Sequence, residues 1–291
     1  MPACVAVEPM SGCIGAEVRG IAVRQEAKDP AFPGLLRRLL QEHQVLVFRD
    51  QHLCLEEQKS FTRCFGPLIT VPYVEPLKED PAVIAVLKEA DETGISVFGG
   101  DWHADFSFLE EPPGGSVLSA LEVPPVGGDT LWASQTAAWE HLPADLKRRL
   151  ASCRAIHSGT PYGRQEAPAA TGGLSRSIRI QRGAAEADRP VLHPLVRLHP
   201  ETGQAALFVN PIYTRGIEGL PEAEAHELLR ELFHHATRPE FTCRHRWRAG
   251  DLVVWDNRMT LHYAINDYDG HRRLLYRTSF AGEVPRPPAA A

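Results

Sequence analysis

The sequence predicts a mainly β fold with flanking helices, and two patterns carry this prediction. Short runs of β-branched and aromatic residues recur between Pro and Gly turns along the 291-residue chain, as is typical of a β-sandwich. Helical periodicity is confined to a few segments, so the helices are expected to pack outside a sheet. With no repeat and no linker visible, residues 1–291 are predicted to form one domain.

The predicted strands follow one another at intervals through the chain. They are Cys4–Val7, Val45–Phe48, Val83–Leu87, Val117–Leu121, Thr130–Ser134, Leu195–Leu198, Ala206–Val209, Leu252–Trp255 and Leu274–Thr278. Each is short and rich in apolar residues, and most are bounded by turn-forming residues.

Apolar residues at helical spacing predict two longer helices, one over 35–40 and one that begins near Pro221. The segment Gln135–Arg149 is weakly helical. Because Pro143 interrupts it, this segment is expected to form two short helices.

The stretch 161–190 differs from the rest, since Ala, Gly, Arg and Ser dominate it and large apolar residues are few. It is therefore expected to bury little surface. Two interpretations stay open, a disordered surface loop and a lid that closes over a bound substrate.

Composition argues against several classes of partner. The net charge is −6 and no run of Lys or Arg occurs, so no nucleic-acid-binding face is expected. No apolar run approaches the roughly 18 residues that span a bilayer. Six cysteines lack any C-x-x-C spacing and the N-terminus lacks a secretory signal, so a cytoplasmic protein with reduced thiols is predicted.

His103 and Asp105 form the first element of a candidate metal site. Residues two apart on an extended segment point to the same side, so an imidazole and a carboxylate could face one ion. The spacing alone is weak evidence, because a chain of this composition is expected to contain about 0.5 such His-x-Asp spacings by chance. A distant His262 would complete two histidines and one carboxylate, a set that leaves positions on Fe(II) open for dioxygen.

Segments spread over nearly the whole chain resemble the taurine dioxygenase family. They are Trp102-His103-Ala104-Asp105, Pro112-Pro113, Gly127-Gly128-Asp129-Thr130-Leu131-Trp132, His193-Pro194-Leu195-Val196, Leu207-Phe208-Val209-Asn210 and Trp255-Asp256-Asn257-Arg258. The resemblance implies a double-stranded β-helix, or jelly roll. It also implies an enzyme that uses Fe(II), 2-oxoglutarate and O2.

By that resemblance His103, Asp105 and His262 are the iron ligands. Thr130 and Arg273 fall on the positions that hold the distal carboxylate of 2-oxoglutarate. The chemistry is suitable, because a guanidinium can donate two parallel hydrogen bonds to a carboxylate and a hydroxyl can add a third.

Four further residues are candidates for binding the primary substrate. Arg277 would share a strand face with Arg273, and its counterpart in taurine dioxygenase contacts the sulfonate; a structural salt bridge is the alternative. Val71 stands where the taurine enzyme has a histidine, which argues against taurine and for a larger apolar acid. The segments Asp101-Trp102-His103 and His157-Ser158 resemble those of aryloxyalkanoate-type members of the family, which makes Asp101 and His157 candidates. A core or capping role suits His157 equally well.

The sequence thus predicts hydroxylation of a C–H bond in a small anionic substrate: an aryloxyalkanoate, an alkylsulfonate or a related carboxylic acid. Succinate and CO2 would be co-products. Retention of Asp105 favours hydroxylation over halogenation, because halogenating relatives leave that ligand position open for chloride. A zinc hydrolase and a non-catalytic metal-binding jelly roll remain alternatives. The resemblance also suggests a homo-oligomer.

Overall fold

The computed structural model describes residues 5–27, 29–163 and 177–288. The strands are β1 (Ala6–Pro9), β2 (Ala16–Arg19), β3 (Val45–Phe48), β4 (Leu68–Ile69), β5 (Ile84–Lys88), β6 (Gly115–Glu122), β7 (Thr130–Ser134), β8 (Arg154–His157), β9 (Val191–Pro194), β10 (Val196–Leu198), β11 (Ala205–Leu207), β12 (Thr214–Ile217), β13 (Thr242–His245), β14 (Leu252–Asp256), β15 (Thr260–Ala264) and β16 (Arg273–Phe280). The α-helices are α1 (Val23–Glu26), α2 (Phe32–His43), α3 (Leu55–Arg63), α4 (Gln135–Glu140), α5 (Ala144–Leu150), α6 (Thr160–Gly163) and α7 (Glu222–Ala236), with 3-10 turns at Ala185–Asp188 and Pro239–Phe241.

The largest sheet has eight strands in the order β1-β2-β3-β14-β6-β16-β4, with β5 also paired to β16. Its pairs are antiparallel except for β2 and β3, which run parallel. Smaller sheets in the described residues are β13-β7-β15, β12-β8-β9 and β10-β11. The architecture is mainly β with flanking helices, as predicted.

Strand β3 explains how the large sheet is covered on both faces. Val45 and Val47 pack inward in a cluster that includes Trp132 of the facing sheet. Leu46 and Phe48 point the other way, into a cluster with helices α2 and α3. Because both faces are buried, the strand is apolar at every position rather than alternating.

The predicted elements agree in large part with the observed ones. Strand β3 has the predicted bounds, α2 and α7 correspond to the two periodic segments, and α4 and α5 are separated at Pro143. The first predicted strand is displaced to β1, and Cys4 lies outside the described residues. The prediction missed α3 and strands such as β8, β9, β13 and β15, which are short or carry polar residues paired inside the fold.

The stretch 161–190 is described only in part, because 164–176 lies outside the described residues. The expectation that it buries little surface is wrong for its flanks, where Tyr162 and Ile178 are 4% and 6% exposed. Ile180 forms an isolated antiparallel bridge to Val74. Both flanks thus join an aromatic and aliphatic cluster, and the lid stays a prediction.

Within the described ranges, no helix combines the length and apolar character needed to cross a membrane. The five cysteines in those ranges are free.

Candidate metal and cosubstrate site

A single backbone bridge joins the two histidines that lie 159 positions apart in the chain. The N–H of His103 donates to the carbonyl of His262 at 3.1 Å, and the N–H of His262 donates back at 2.8 Å. His262 lies in β15, which pairs with β7. Asp105 follows His103 by two residues. One potential ligand atom from each of His103, Asp105 and His262 lies within 4.8 Å of the other two.

Hydrogen bonds orient the imidazole of His103. Its Nδ1 lies 2.8 Å from the carbonyl oxygen of Asp101, which can only accept, so Nδ1 carries the hydrogen and Nε2 keeps its lone pair. That Nε2 faces Oδ1 of Asp105 at 3.8 Å, and Nε2 of His262 faces the same oxygen at 3.9 Å. Three potential donor atoms therefore converge.

The protonation states suit metal binding. Burial lowers the pKa of His103, and burial together with the neighbouring imidazole lowers the pKa of His262, so both are neutral. Burial raises the pKa of Asp105, but the positive charge of the Arg277 guanidinium outweighs it, with the hydrogen bond from Ser116 adding to the effect, and the pKa falls to about 2. The site thus offers two neutral nitrogens and one carboxylate.

A first-row divalent ion fits this donor set. When an ion lies about 2.1 Å from each ligand atom in octahedral geometry, adjacent ligand atoms lie about 3 Å apart. The observed 3.8 and 3.9 Å separations therefore need side-chain movements of about 1 Å or less. All three residues are buried, and His103 and Asp105 line a cavity of about 200 Å³, which leaves room for further ligands.

The ligand segment is not the regular strand that the sequence suggests. Only His103 forms a bridge, and the chain turns immediately after Asp105. Phe106 has φ of 47°, in the left-handed region that bulky residues rarely adopt. The His103–Asp105 proximity is real, but it comes from a bridge followed by a turn.

Thr130 and Arg273 both lie against the indole of Trp247. The indole N–H of Trp247 donates to Oγ1 of Thr130 at 2.9 Å, and the guanidinium of Arg273 lies 5.8 Å from the same indole ring. Arg273 is 3% exposed, its Nε has no hydrogen-bond partner, and burial lowers its pKa. A buried cation with free donor capacity suits a carboxylate.

Two aromatic side chains next to Arg273 were not found from the sequence. Trp247 and Tyr268 both face the guanidinium of Arg273, which lies 5.8 and 5.9 Å from the centres of the two rings. Gly128 makes room for them: an added Cβ would lie 3.2 Å from both Arg273 and Tyr268. The doublet Gly127-Gly128 before Thr130 was the available signal, because glycines allow close approach.

Arg277 lies on the same buried face of β16 as Arg273, as their spacing predicts. Its Nη1 donates to Oδ1 of Asp105 at 3.0 Å, while its Nε and Nη2 are buried without partners. The guanidinium lies 5.5 Å from the ring of Phe106 and 5.9 Å from that of Phe98. Three of its five N–H donors, those on Nε and Nη2, are thus available to an anion.

Two cavities flank the Arg277–Asp105 pair. One, of about 340 Å³, contains Arg277 and has a mixed lining, apolar at Ile69, Val71, Pro72, Val74, Pro81 and Ile84 and polar at Thr70, Gln181, Glu186 and Ser279. The other, of about 200 Å³, is lined by His103 and Asp105, with Asp101 and Tyr162 among its other residues. Val71 lines the first cavity and Asp101 the second, and their contacts with a substrate stay predictions.

His157 is not brought into either cavity. It is fully buried; its Nδ1 contacts Oγ of Ser107 at 3.1 Å and its Nε2 contacts the carbonyl of Phe208 at 3.2 Å. Burial and the neighbouring His193 lower its pKa to about 3. With both nitrogens engaged, His157 has the core role that the sequence left open, and the expected substrate contact is corrected.

Comparisons with known proteins identify one family of enzymes. Residues 6–279 match the family described as taurine catabolism dioxygenase TauD, TfdA family. An alpha-ketoglutarate-dependent sulfate ester dioxygenase of Pseudomonas putida is 34% identical over 281 residues, covering 96% of this chain and 90% of the relative. An alpha-ketoglutarate-dependent 2,4-dichlorophenoxyacetate dioxygenase of Cupriavidus pinatubonensis is 36% identical over 295 residues, covering 94% and 97%.

Structural similarity points the same way. A taurine dioxygenase from Burkholderia xenovorans superposes with a TM-score of 0.81 at 32% identity, covering 99% of this chain and 94% of that one. The fold is therefore the double-stranded β-helix that the resemblance implied.

The chain belongs to the taurine catabolism dioxygenase TauD, TfdA family. It is an Fe(II)- and 2-oxoglutarate-dependent dioxygenase that uses O2, an oxidoreductase as predicted. This finding decides between the enzyme and the two alternatives, the zinc hydrolase and the non-catalytic metal-binding protein.

Proposed function

We propose that this dioxygenase hydroxylates a C–H bond of a small organic anion with an apolar body: an aryloxyalkanoate, an alkylsulfonate or a related carboxylic acid. The observation that carries the proposal is the convergence of His103, Asp105 and His262 beside Arg277, whose Nε and Nη2 are unpartnered. In this proposal the three residues hold Fe(II). Thr130 and Arg273 hold the distal carboxylate of 2-oxoglutarate.

When bound, the metal and its cosubstrate supply the oxidising chemistry, in which O2 and 2-oxoglutarate yield succinate, CO2 and a hydroxylated substrate. The protein supplies orientation. The carbonyl of Asp101 fixes the tautomer of His103, and the hydroxyl of Ser116 donates to Oδ2 of Asp105 at 3.0 Å. These contacts hold the ligand atoms toward one point.

The substrate assignment rests on charge and shape. Arg277 provides a buried guanidinium for a carboxylate, sulfonate or sulfate. The adjacent 340 Å³ cavity, with Val71 in its wall, is large enough for an aryl ring or a short alkyl chain. The two relatives named above act on sulfate esters and on 2,4-dichlorophenoxyacetate, which agrees with an anionic head on an apolar body.

The test is succinate formation by protein loaded with Fe(II) without oxygen, then given 2-oxoglutarate, O2 and a panel of aryloxyalkanoates, alkylsulfonates, sulfate esters and small carboxylic acids. We expect stimulation by compounds with an apolar body and none by taurine. If the attacked carbon bears an ether oxygen or a sulfonate, phenol or sulfite is released. His103→Ala is the control and should remove the stimulated signal.

A cavity-filling variant tests where the apolar body lies. Val71→Trp should raise the KM for the bulkiest substrate most and leave the 2-oxoglutarate requirement unchanged. Val126→Trp adds the same bulk at a position that is 70% exposed and is the matched control. Equal substrate kinetics in the two variants would contradict the assignment of the cavity.

A further inference from the structure

The side chain of Asn257 connects the turn after β14 to the loop that carries Asp105. The backbone N–H of Asp105 donates to Oδ1 of Asn257 at 2.7 Å. Nδ2 of Asn257 donates to the carbonyls of Asp105 and Pro113, at 3.0 Å each. One buried amide thus satisfies both backbone groups of Asp105 across 152 positions of sequence.

The loop needs such a connection because it lacks a strand ladder. Asp105 follows the isolated bridge at His103 and precedes Phe106, whose left-handed φ of 47° is unfavourable for a bulky side chain. A conformation of this kind persists only when its surroundings hold it. The three hydrogen bonds of Asn257 supply that restraint at Asp105, whose carboxylate must point toward the two imidazoles.

We infer that Asn257 is a positioning residue that sets the direction of the Asp105 carboxylate and thereby the affinity of the metal site. The inference rests on the proposed ligand role of Asp105. Asn257 does not itself face the ion: its oxygen and nitrogen are both engaged with backbone groups. Ser116 and Arg277 restrain the carboxylate oxygens, whereas Asn257 restrains the backbone from which the side chain extends.

The experiment measures the Mn(II) dissociation constant by the EPR signal of free Mn(II), without 2-oxoglutarate or turnover. Asn257→Ala and Asn257→Asp should weaken Mn(II) binding about 10–100-fold, the usual effect of losing a residue that orients a ligand. The aspartate is nearly isosteric but cannot donate to the two carbonyls. Asn257→Ser, which keeps one donor, should fall between wild type and Asn257→Ala.

Gln135→Ala is the matched control. Gln135 is also a buried amide, and its Nε2 donates to the carbonyls of Ala133 and Ala236, joining α4 to α7 rather than holding a ligand. It should lower the unfolding temperature without changing Mn(II) affinity more than about twofold, a change far below that of an orienting residue.

Two results would overturn the inference. Unchanged Mn(II) affinity in the folded Asn257 variants, with only their unfolding temperature lowered, would make Asn257 a purely structural clamp. An equal loss of affinity in Gln135→Ala would show that general destabilisation is responsible. Failure of the wild-type protein to bind Mn(II) is a different outcome, because it would overturn the proposed metal site as well.

Discussion

Two buried clusters in this protein contain the same residue types but differ in how completely they are hydrogen-bonded. Around Asp256, the guanidinium of Arg258 and Nε2 of His199 contact the carboxylate, and Nδ1 of His199 accepts from the backbone N–H of Thr202. Around Asp105, by contrast, Nδ1 of His262 and two nitrogens of Arg277 have no partner.

The pKa values do not separate the two clusters. Burial raises the pKa of Asp256, yet the guanidinium of Arg258 and the imidazole of His199 bring it well below its ordinary value, much as Arg277 does for Asp105. What differs is the unused hydrogen-bonding capacity. A cluster that stabilises the fold is satisfied internally, whereas a binding site keeps donors for a ligand, at a cost in stability.

The largest expected effect is on activity, at the unsatisfied cluster. His262→Ala should abolish Fe(II)-dependent succinate formation, because a ligand atom is removed, while the protein stays folded. Succinate assay and circular dichroism on the same sample check this. Turnover retained at the wild-type level would remove His262 from the ligand set.

The second effect is on stability, at the satisfied cluster. Asp256→Ala should lower the free energy of unfolding by about 3–5 kcal/mol, because it leaves the buried guanidinium of Arg258 without its main partner. Urea unfolding measures this change. If Asp256→Ala lowered the free energy of unfolding less than His262→Ala does, the comparison between the clusters would be reversed.

Smaller effects are expected from the two arginines of β16. Arg273→Ala should raise the KM for 2-oxoglutarate, and Arg277→Ala the KM for the primary substrate, each by about 10–100-fold, since each removes charge-assisted hydrogen bonds. Steady-state kinetics with each substrate varied in turn distinguishes them. The opposite pattern would exchange the two assignments.

The smallest effect concerns His157, a buried neutral histidine with both nitrogens bonded. Its pKa is about 3 in the folded protein and near 6.5 when exposed, so the unfolded state binds more protons between these values and stability falls as pH is lowered through that window. At pH 5 this loss is about 2 kcal/mol.

Unfolding in urea at pH 8 and at pH 5 measures that loss. The loss of stability between pH 8 and pH 5 should be smaller in His157→Gln than in the wild-type protein. It should equal the wild-type loss in His226→Gln, which removes an exposed histidine on α7. A decline of equal size in His157→Gln would show that other groups cause it.

Much of the fold could be predicted from sequence where local patterns are strong. The apolar run of β3 and the periodic α2 and α7 were found because burial on two faces, or on one helical stripe, selects residue types directly. Strand β13, with the sequence Thr-Cys-Arg-His, could not be found this way. It is a strand because β7 pairs with it, residue for residue, from a distant part of the chain.

The same division applies to the site. The sequence alone determined the chemistry: two histidines and a carboxylate, a threonine and two arginines at family spacing. Only the tertiary structure decided the geometry, since it bridged His103 to His262, engaged both nitrogens of His157, left Arg277 partly unpaired and bound Asn257 to the backbone of Asp105. The physical reason is that donor types belong to single residues, whereas distances and unmet hydrogen bonds arise only when remote segments pack together.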